Sequence, residues 1–524
     1  MKYYSILFFL TTQFLFCFNS QSQSDSLVLL NDLAFTTEYE REQYCKLLAG
    51  EEVIFEALMA INLESNPETV ALDKMMFTNE IGQLKQIDRP ISESGKIKYY
   101  KEVYNHVHDR FFRKYELHHY FNKVFADGTY NCVSGCAIYA LTFRELDINY
   151  FIKETPTHVY IVLESDGNQY LIETTDPSGR FNKFSKNFKT QFVKQLQSVK
   201  LIDEQEFRDS SVDDLFDKYY FTDVNLSLKE LVGVQYWNDG IYKFQEEDLS
   251  GAIDAFKKCF VLYPNEKVKE MLLASLALMT NKTNYSSIAD VRLISNLSRY
   301  SEDEISDVEL KNEFLRLTNY QLVEKYDIVL YEKSYDFLLN NIKREAFKNE
   351  MSFVYNYERA RLLHNRGRHR TAINFAEIAF DLKPKNIDAE SLFLSTLGQY
   401  LQFSKDRSES YAMLDNLVQD HPELLENNKF GGLFLNMNLI RMADSYKENK
   451  KADGDLLKEK FELMYSENPY FQVDDQLIGH AYSQLAVYHF KRGQYSTAKK
   501  VLQKGMTYAP YNQELRSRMR AVNY

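Results

Sequence analysis

Residues 130–148 read YNCVSGCAIYALTFRELDI. Two cysteines stand four positions apart at the head of an apolar run, in a chain of 524 residues with five cysteines in all. The lead-in ADGTYN is polar and turn-forming, and Asn131 is a suitable cap for a helix that starts at Cys132. Cys132 then falls in the first helical turn, where unpaired backbone N–H groups and the helix dipole favour a thiolate. Val133, Cys136, Ala137, Ala140 and Leu141 form the apolar stripe, which turns Cys136 into the core one turn below Cys132. The helix is expected to end near Asp147.

Four roles are open to the cysteine pair. A structural zinc site takes four ligands, and this CxxxC has no matching CxxC or HxxxH elsewhere. A disulfide between positions i and i+4 of one helix has poor geometry. Burial as small hydrophobes is the ordinary fate of free cysteines on an apolar helix. Against simple burial stand His158, at the head of the strand pattern THVYIVLE, and Glu173, at the end of QYLIETT. The SDGN between them is a hairpin turn, so the two side chains are neighbours on facing strands, both turned to the start of the Cys132 helix. Cys, His and a carboxylate supply a nucleophile, its base and the group that orients the base. His106, His108, His118 and His119 lie upstream at spacings that do not make a helical His-x-x-x-His site, and aromatic-like packing accounts for them.

The stretch 130–181, YNCVSGCAIYALTFRELDINYFIKETPTHVYIVLESDGNQYLIETTDPSGRF, resembles the core of the transglutaminase-like superfamily, the papain-related Cys-His-Asp fold. In that family a Cys opens a helix that closes on a Gly-Ile pair, a strand beginning with His follows, and a further strand ends in an acidic motif. Here Asp147-Ile148 stands in place of Gly-Ile, and LIETT in place of the acidic motif. The resemblance implies Cys132 as nucleophile, His158 as general base and Glu173 as the orienting acid, with Asp176 as the fallback acid. It also implies amide chemistry through an acyl-enzyme, by hydrolysis (a peptidase or amidase) or transamidation, without cofactor or metal. The acid is Glu where the family has Asp. The Trp that the family often places before the nucleophile is absent, the one Trp being Trp237, and Phe125 or Tyr130 takes that space.

The rest of the chain sets the context. Nine Pro and 18 Gly in 524 residues, with long Leu-, Glu- and Lys-rich stretches, favour a mostly helical protein. A net charge of -12 argues against nucleic acid as the main partner. Residues 1–20 carry one Lys, an apolar stretch from Ile6 to Phe18 and small polar residues, the pattern of an export signal. That stretch is short for a membrane span, so the expectation is an exported protein, periplasmic or secreted if bacterial and not integral to the membrane.

The second half is repetitive. Ala252, Phe256, Cys259 and Pro264 set a spacing that recurs as Ala372, Ala376, Ala379 and Pro384, and as Ala498, Leu502, Gly505 and Pro510. Weaker copies end at Pro422 and Pro469. Small residues let one helix nest on its partner and Pro stops it, a pattern that resembles tetratricopeptide repeats. The expected fold is therefore an α+β transglutaminase-like domain over 25–225, with 182–225 as its polar tail, followed by an all-α helical solenoid over 226–524. The solenoid groove is expected to take a protein or peptide partner. A second function class is a non-catalytic interaction scaffold carrying a degenerate transglutaminase-like module.

Overall fold

A computed structural model describes residues 28–175, 181, 184–198, 200–300, 305–404 and 406–522. The expected signal segment and Asp176 lie outside these residues. The chain divides into two compact units, one running to Lys343 and the other from Arg344, and the protein is mostly helical.

In the first unit a short parallel pair, β1 (Lys114–Tyr115) and β2 (Thr129–Tyr130), leads directly into the helix Cys132–Glu145. An antiparallel sheet follows, built from β3 (Tyr150–Glu154), β4 (Val159–Ser165), β5 (Asn168–Ile172) and β6 (Asn225–Leu226) in the order β5-β4-β3-β6. The hairpin predicted from SDGN is present: Asp166 and Gly167 both take left-handed φ, 52° and 78°, as a two-residue hairpin turn demands. Strand alternation gives the sheet two faces. Val159, Ile161, Leu163 and Ile172 share a core with the Cys132 helix, while Tyr160, Val162 and Leu171 belong to a second cluster. That second face is covered by the helices Lys186–Ser198 and Val212–Tyr220 through Phe192, Leu196, Leu215 and Phe216. The stretch expected as a polar tail is thus a packing layer. Its apolar positions are few but fall on one side of each helix.

The Cys132 helix starts where its cap predicts. Asn131 Oδ1 accepts from the Ser134 N–H at 2.9 Å, and Ser134 Oγ accepts from the Asn131 N–H at 2.9 Å. Burial is wider than the expected stripe, because every residue from Cys132 to Phe143 is enclosed. β3 and β4 pack on one side, and the helices Glu93–Phe111 and Leu228–Gln245 pack on others. A helix covered all round needs small or apolar residues on all faces, which GCAIYAL provides. Its polar residues are satisfied locally: Thr142 Oγ1 donates to the Ile138 carbonyl at 2.8 Å, and Tyr139 Oη to the Tyr104 carbonyl at 3.1 Å.

The first repeat pair, Leu228–Gln245 and Leu249–Leu262, forms as expected, with Ala252, Phe256 and Cys259 buried. Its interface is tight: a Cβ on Gly240 would stand 2.5 Å from Phe256 Cε1. The pair does not start a separate body, however. Leu231, Val232, Val234 and Tyr236 share the core of the Cys132 helix. Lys258 pairs with Glu40 at 2.5 Å, both side chains buried, and Tyr236 Oη donates to the same carboxylate at 3.0 Å. The compact unit that contains this pair runs on to Lys343, past the expected boundary at 225/226. A first repeat with no repeat before it must cover its apolar face, and here the N-terminal helices and the Cys132 helix cover it.

The second unit is built of helical hairpins, among them Glu345–Asn365 with His369–Leu382 and Asp475–Phe490 with Tyr495–Tyr508. Ala372, Ala376, Ala379, Ala498 and Gly505 are buried at the contacts. A Cβ on Gly505 would meet Tyr482 Cβ at 2.7 Å. The helices ending at Leu382, Asp420, Glu467 and Tyr508 each stop two residues before Pro384, Pro422, Pro469 and Pro510. The residue before a Pro is steered out of the α region, which fixes each stop.

Two fragments test the boundary. A chain starting at Arg344 should give a helical circular-dichroism spectrum and a cooperative melt. One starting at Ser227 should bind an apolar dye strongly, because Leu231, Val232 and Tyr236 lose their cover. A Ser227 fragment as dye-silent as the Arg344 fragment would restore the boundary at 225/226.

Candidate active site

His158 precedes β4 and Glu173 follows β5. Ile161 pairs with Ile172 in the ladder, so continuing that register sets Tyr160 opposite Glu173 and His158 one diagonal step away. The two side chains meet: His158 Nε2 lies 2.9 Å from Glu173 Oε2 and 3.1 Å from Oε1. Both lie just past the paired residues, beside the face that carries Tyr160 and Leu171. Ring contacts agree, since the imidazole lies 5.8 Å from the Phe188 ring and 6.0 Å from the Tyr220 ring.

Cys132 approaches from the other layer, near enough for its thiol to act on the His158 imidazole. Gly135 makes the approach close: a Cβ there would meet Thr174 Cβ at 3.0 Å, so the first turn of the helix rides on the residues just after β5. The three predicted residues thus converge at the end of the sheet, where the two layers meet.

The electrostatics are those of a buried charge pair. Burial alone would lower the His158 pKa, but the Glu173 charge, its hydrogen bond and the neighbouring Cys132 push it up to about 10. Burial would raise the Glu173 pKa, yet the His158 charge and the donors around it hold it below the ordinary 4.5. Its Oε1 accepts from the Thr175 N–H at 2.8 Å and the Thr175 hydroxyl at 2.7 Å, and its Oε2 accepts from Tyr220 Oη. At neutral pH the pair is imidazolium and carboxylate. Cys136 is different. It is fully buried, donates to the Val159 carbonyl at 3.3 Å, and burial drives its thiol pKa well up. Both cysteines are free thiols.

Access is narrow. Cys132 is 8% exposed and the His158 side chain 8%. β1 and the loop after it present Tyr115 and Leu117 to solvent. That loop is pinned: the Leu117 carbonyl accepts from Tyr242 Oη at 2.5 Å and from Asn131 Nδ2 at 3.3 Å. A groove of about 740 Å³ lies away from Cys132, against Arg89, Tyr99, Asp147 and Asp166. Of the upstream histidines, His106 bonds Glu80 at 3.1 Å, His108 packs on Tyr104 and Phe112, His118 stacks on Tyr242 and His119 is buried.

Tyr220 and Thr175 are the contacts that sequence reasoning missed. Tyr220 is 47 residues from Glu173. The available signal was the amphipathic run around Leu215, Phe216 and Tyr220, which marks a buried helix but not its neighbour.

Comparison with known proteins adds little. No family model matches the chain, and no curated protein matches it. Sixteen chains of solved structures match. One belongs to the structure of Naa15/Naa10 bound to HypK-THB, at 13% identity, with 64% of this chain and 62% of that chain covered and a TM-score of 0.18. This chain therefore spans less than two thirds of that one, and a score of 0.18 carries no argument about fold or function.

The charge pair has a pH signature. The raised His158 pKa contributes stability that is complete below the ordinary 6.5 and is lost as pH rises through about 10. The lowered Glu173 pKa contributes stability that is present above 4.5 and is lost as pH falls through its folded value. The loss in denaturation midpoint caused by Glu173→Gln should therefore be greatest between pH 4.5 and 6.5 and shrink toward pH 10. A loss independent of pH would mean that the pair is not ionised in the folded protein.

Proposed function

We propose that Cys132, His158 and Glu173 form the acyl-transfer centre of a transglutaminase-like thiol enzyme that cleaves or transfers amides, with hydrolysis the favoured outcome. The observation that carries this reading is the buried His158–Glu173 pair at 2.9 Å, with the helix-start thiol of Cys132 beside the imidazole. Asp147 supports it: at φ 52° it occupies a left-handed position where the resembled family has Gly.

The chemistry follows from the charges. The Cys132 thiolate attacks the amide carbonyl, and first-turn N–H groups of the helix hold the oxyanion. The His158 imidazolium gives its proton to the departing nitrogen, which leaves a thioester and a neutral imidazole. Water or an amine attacks the thioester while His158 takes its proton, and the thiolate leaves. Glu173 keeps the ring oriented and neutralises its charge through both steps.

Helical hairpins of the second unit would hold a protein or peptide partner in this reading, and residues 1–20 would direct export. Among the described residues no helix is long and apolar enough to cross a membrane. The scaffold reading has one observation in its favour: the thiol is nearly covered.

Iodoacetamide applied to the folded protein should modify Cys132 ahead of Cys136. His158→Ala and Glu173→Gln should each slow that reaction by about tenfold or more, while Asp176→Asn leaves it little changed. Equal labelling of the two cysteines, or none before unfolding, would establish the scaffold reading.

A further inference from the structure

Glu173 is enclosed, and apart from the imidazole its carboxylate is held by Thr175 on one oxygen and Tyr220 on the other. Thr175 is two residues along the same segment. Tyr220 comes from a different element, the last residue of the helix Val212–Tyr220 in the layer opposite the Cys132 helix. Its ring is locked in place, stacked at 4.5 Å on both Tyr160 and Phe216, and its carbonyl accepts from Tyr160 Oη at 3.2 Å. A phenol fixed in this way delivers its hydroxyl to one oxygen and cannot turn aside.

We propose that Tyr220 is a positioning residue of the thiol site, whose hydroxyl holds Glu173 as the ionised partner of His158 and so sets how far into acid the Cys132–His158 pair stays competent. The proposal rests on the acyl-transfer reading above. The groups that act on the carboxylate or feel its charge are His158 just before β4 and Tyr160 within it, Cys136 from the helix, Tyr115 from β1, Thr175 and Tyr220. His158 is the cation of that set. The Tyr160 hydroxyl is directed at the Tyr220 carbonyl, away from the acid. Among the described residues, Tyr220 is therefore the hydroxyl that a second packing layer supplies to Glu173.

Losing that hydroxyl has a defined consequence. Oε2 would keep the imidazole alone, and the carboxylate would take up a proton at a higher pH. A protonated Glu173 leaves the buried imidazolium without its counter-charge, so His158 gives up its proton and no longer assists the sulfur. Reactivity then fails from the acid side first. A residue that merely fills space would lower stability without moving this limb.

The test is the pH–rate profile of Cys132 alkylation by iodoacetamide in the full chain, read on the Cys132 peptide by mass spectrometry. Tyr220→Phe keeps the ring and should move the acid limb up by roughly one pH unit or more, as expected when a buried carboxylate loses a donor. Tyr160→Phe removes a hydroxyl from the same aromatic layer without touching Glu173 and should leave the limb in place. Where Tyr220→Phe does not fold, 3,5-difluorotyrosine placed at 220 gives a stronger donor of nearly the same size, and the limb should move down. A limb unmoved by either change at 220, or moved equally by Tyr160→Phe, overturns the proposal. A wild-type profile indifferent to His158→Ala overturns the acyl-transfer reading, and the role of Tyr220 falls with it.

Discussion

The structure of the first unit depends on enclosing one helix completely. From Cys132 to Phe143 no residue is left at the surface, so each face of the helix has to be matched by another element. β3 and β4 take one face, and the helices Glu93–Phe111 and Leu228–Gln245 take others. Small residues decide how near these partners come, most sharply at Gly135, which lets the residues after β5 cross the first turn. The same crossing brings His158 and Glu173 to the sulfur. Fold and site are therefore one constraint: a side chain at 135 would separate the thiol from its imidazole while it loosened the core.

The way this enclosure is achieved explains what the sequence did and did not disclose. Local signals were legible because they act within a few residues. Asn131 caps its own helix, Asp166–Gly167 turns its own hairpin, and each Pro stops the helix two residues before it. The Cys132–His158–Glu173 set could be read because the hairpin brings two of its members together. Tyr220 could not, since its neighbour is chosen by packing of a helix with no periodic link to Glu173. The unit boundary was hidden for a similar reason. The Ala252–Pro264 spacing is a true repeat signature, but spacing reports the inner contact of a hairpin and says nothing of what covers its outer face.

Buried charge ties these distant pieces together. Glu40 binds both Lys258 and Tyr236, joining the N-terminal helices to the first repeat pair. Glu154, on β3, binds Tyr263 and Lys267 just after that pair. Each carboxylate gathers its donors from across the unit, so a shift in register would strand a buried charge. Apolar contacts alone tolerate sliding, and these pairs do not.

The His158–Glu173 pair differs from those two in what lies beyond it. Replacing a buried ion pair with apolar residues is often neutral or stabilising, so a purely structural module gains little from an imidazolium in its core. Glu40 and Glu154 join separate segments and thereby specify packing. His158 and Glu173 sit at the mouth of one hairpin whose register the ladder from Ile161–Ile172 to Ser165–Asn168 already fixes. Glu173 also takes Tyr220 from a separate helix, but its pairing with His158 lies within that hairpin. The pair places a raised imidazole pKa beside the Cys132 sulfur at a helix start, an arrangement that costs desolvation and that the proposed acyl-transfer chemistry would use.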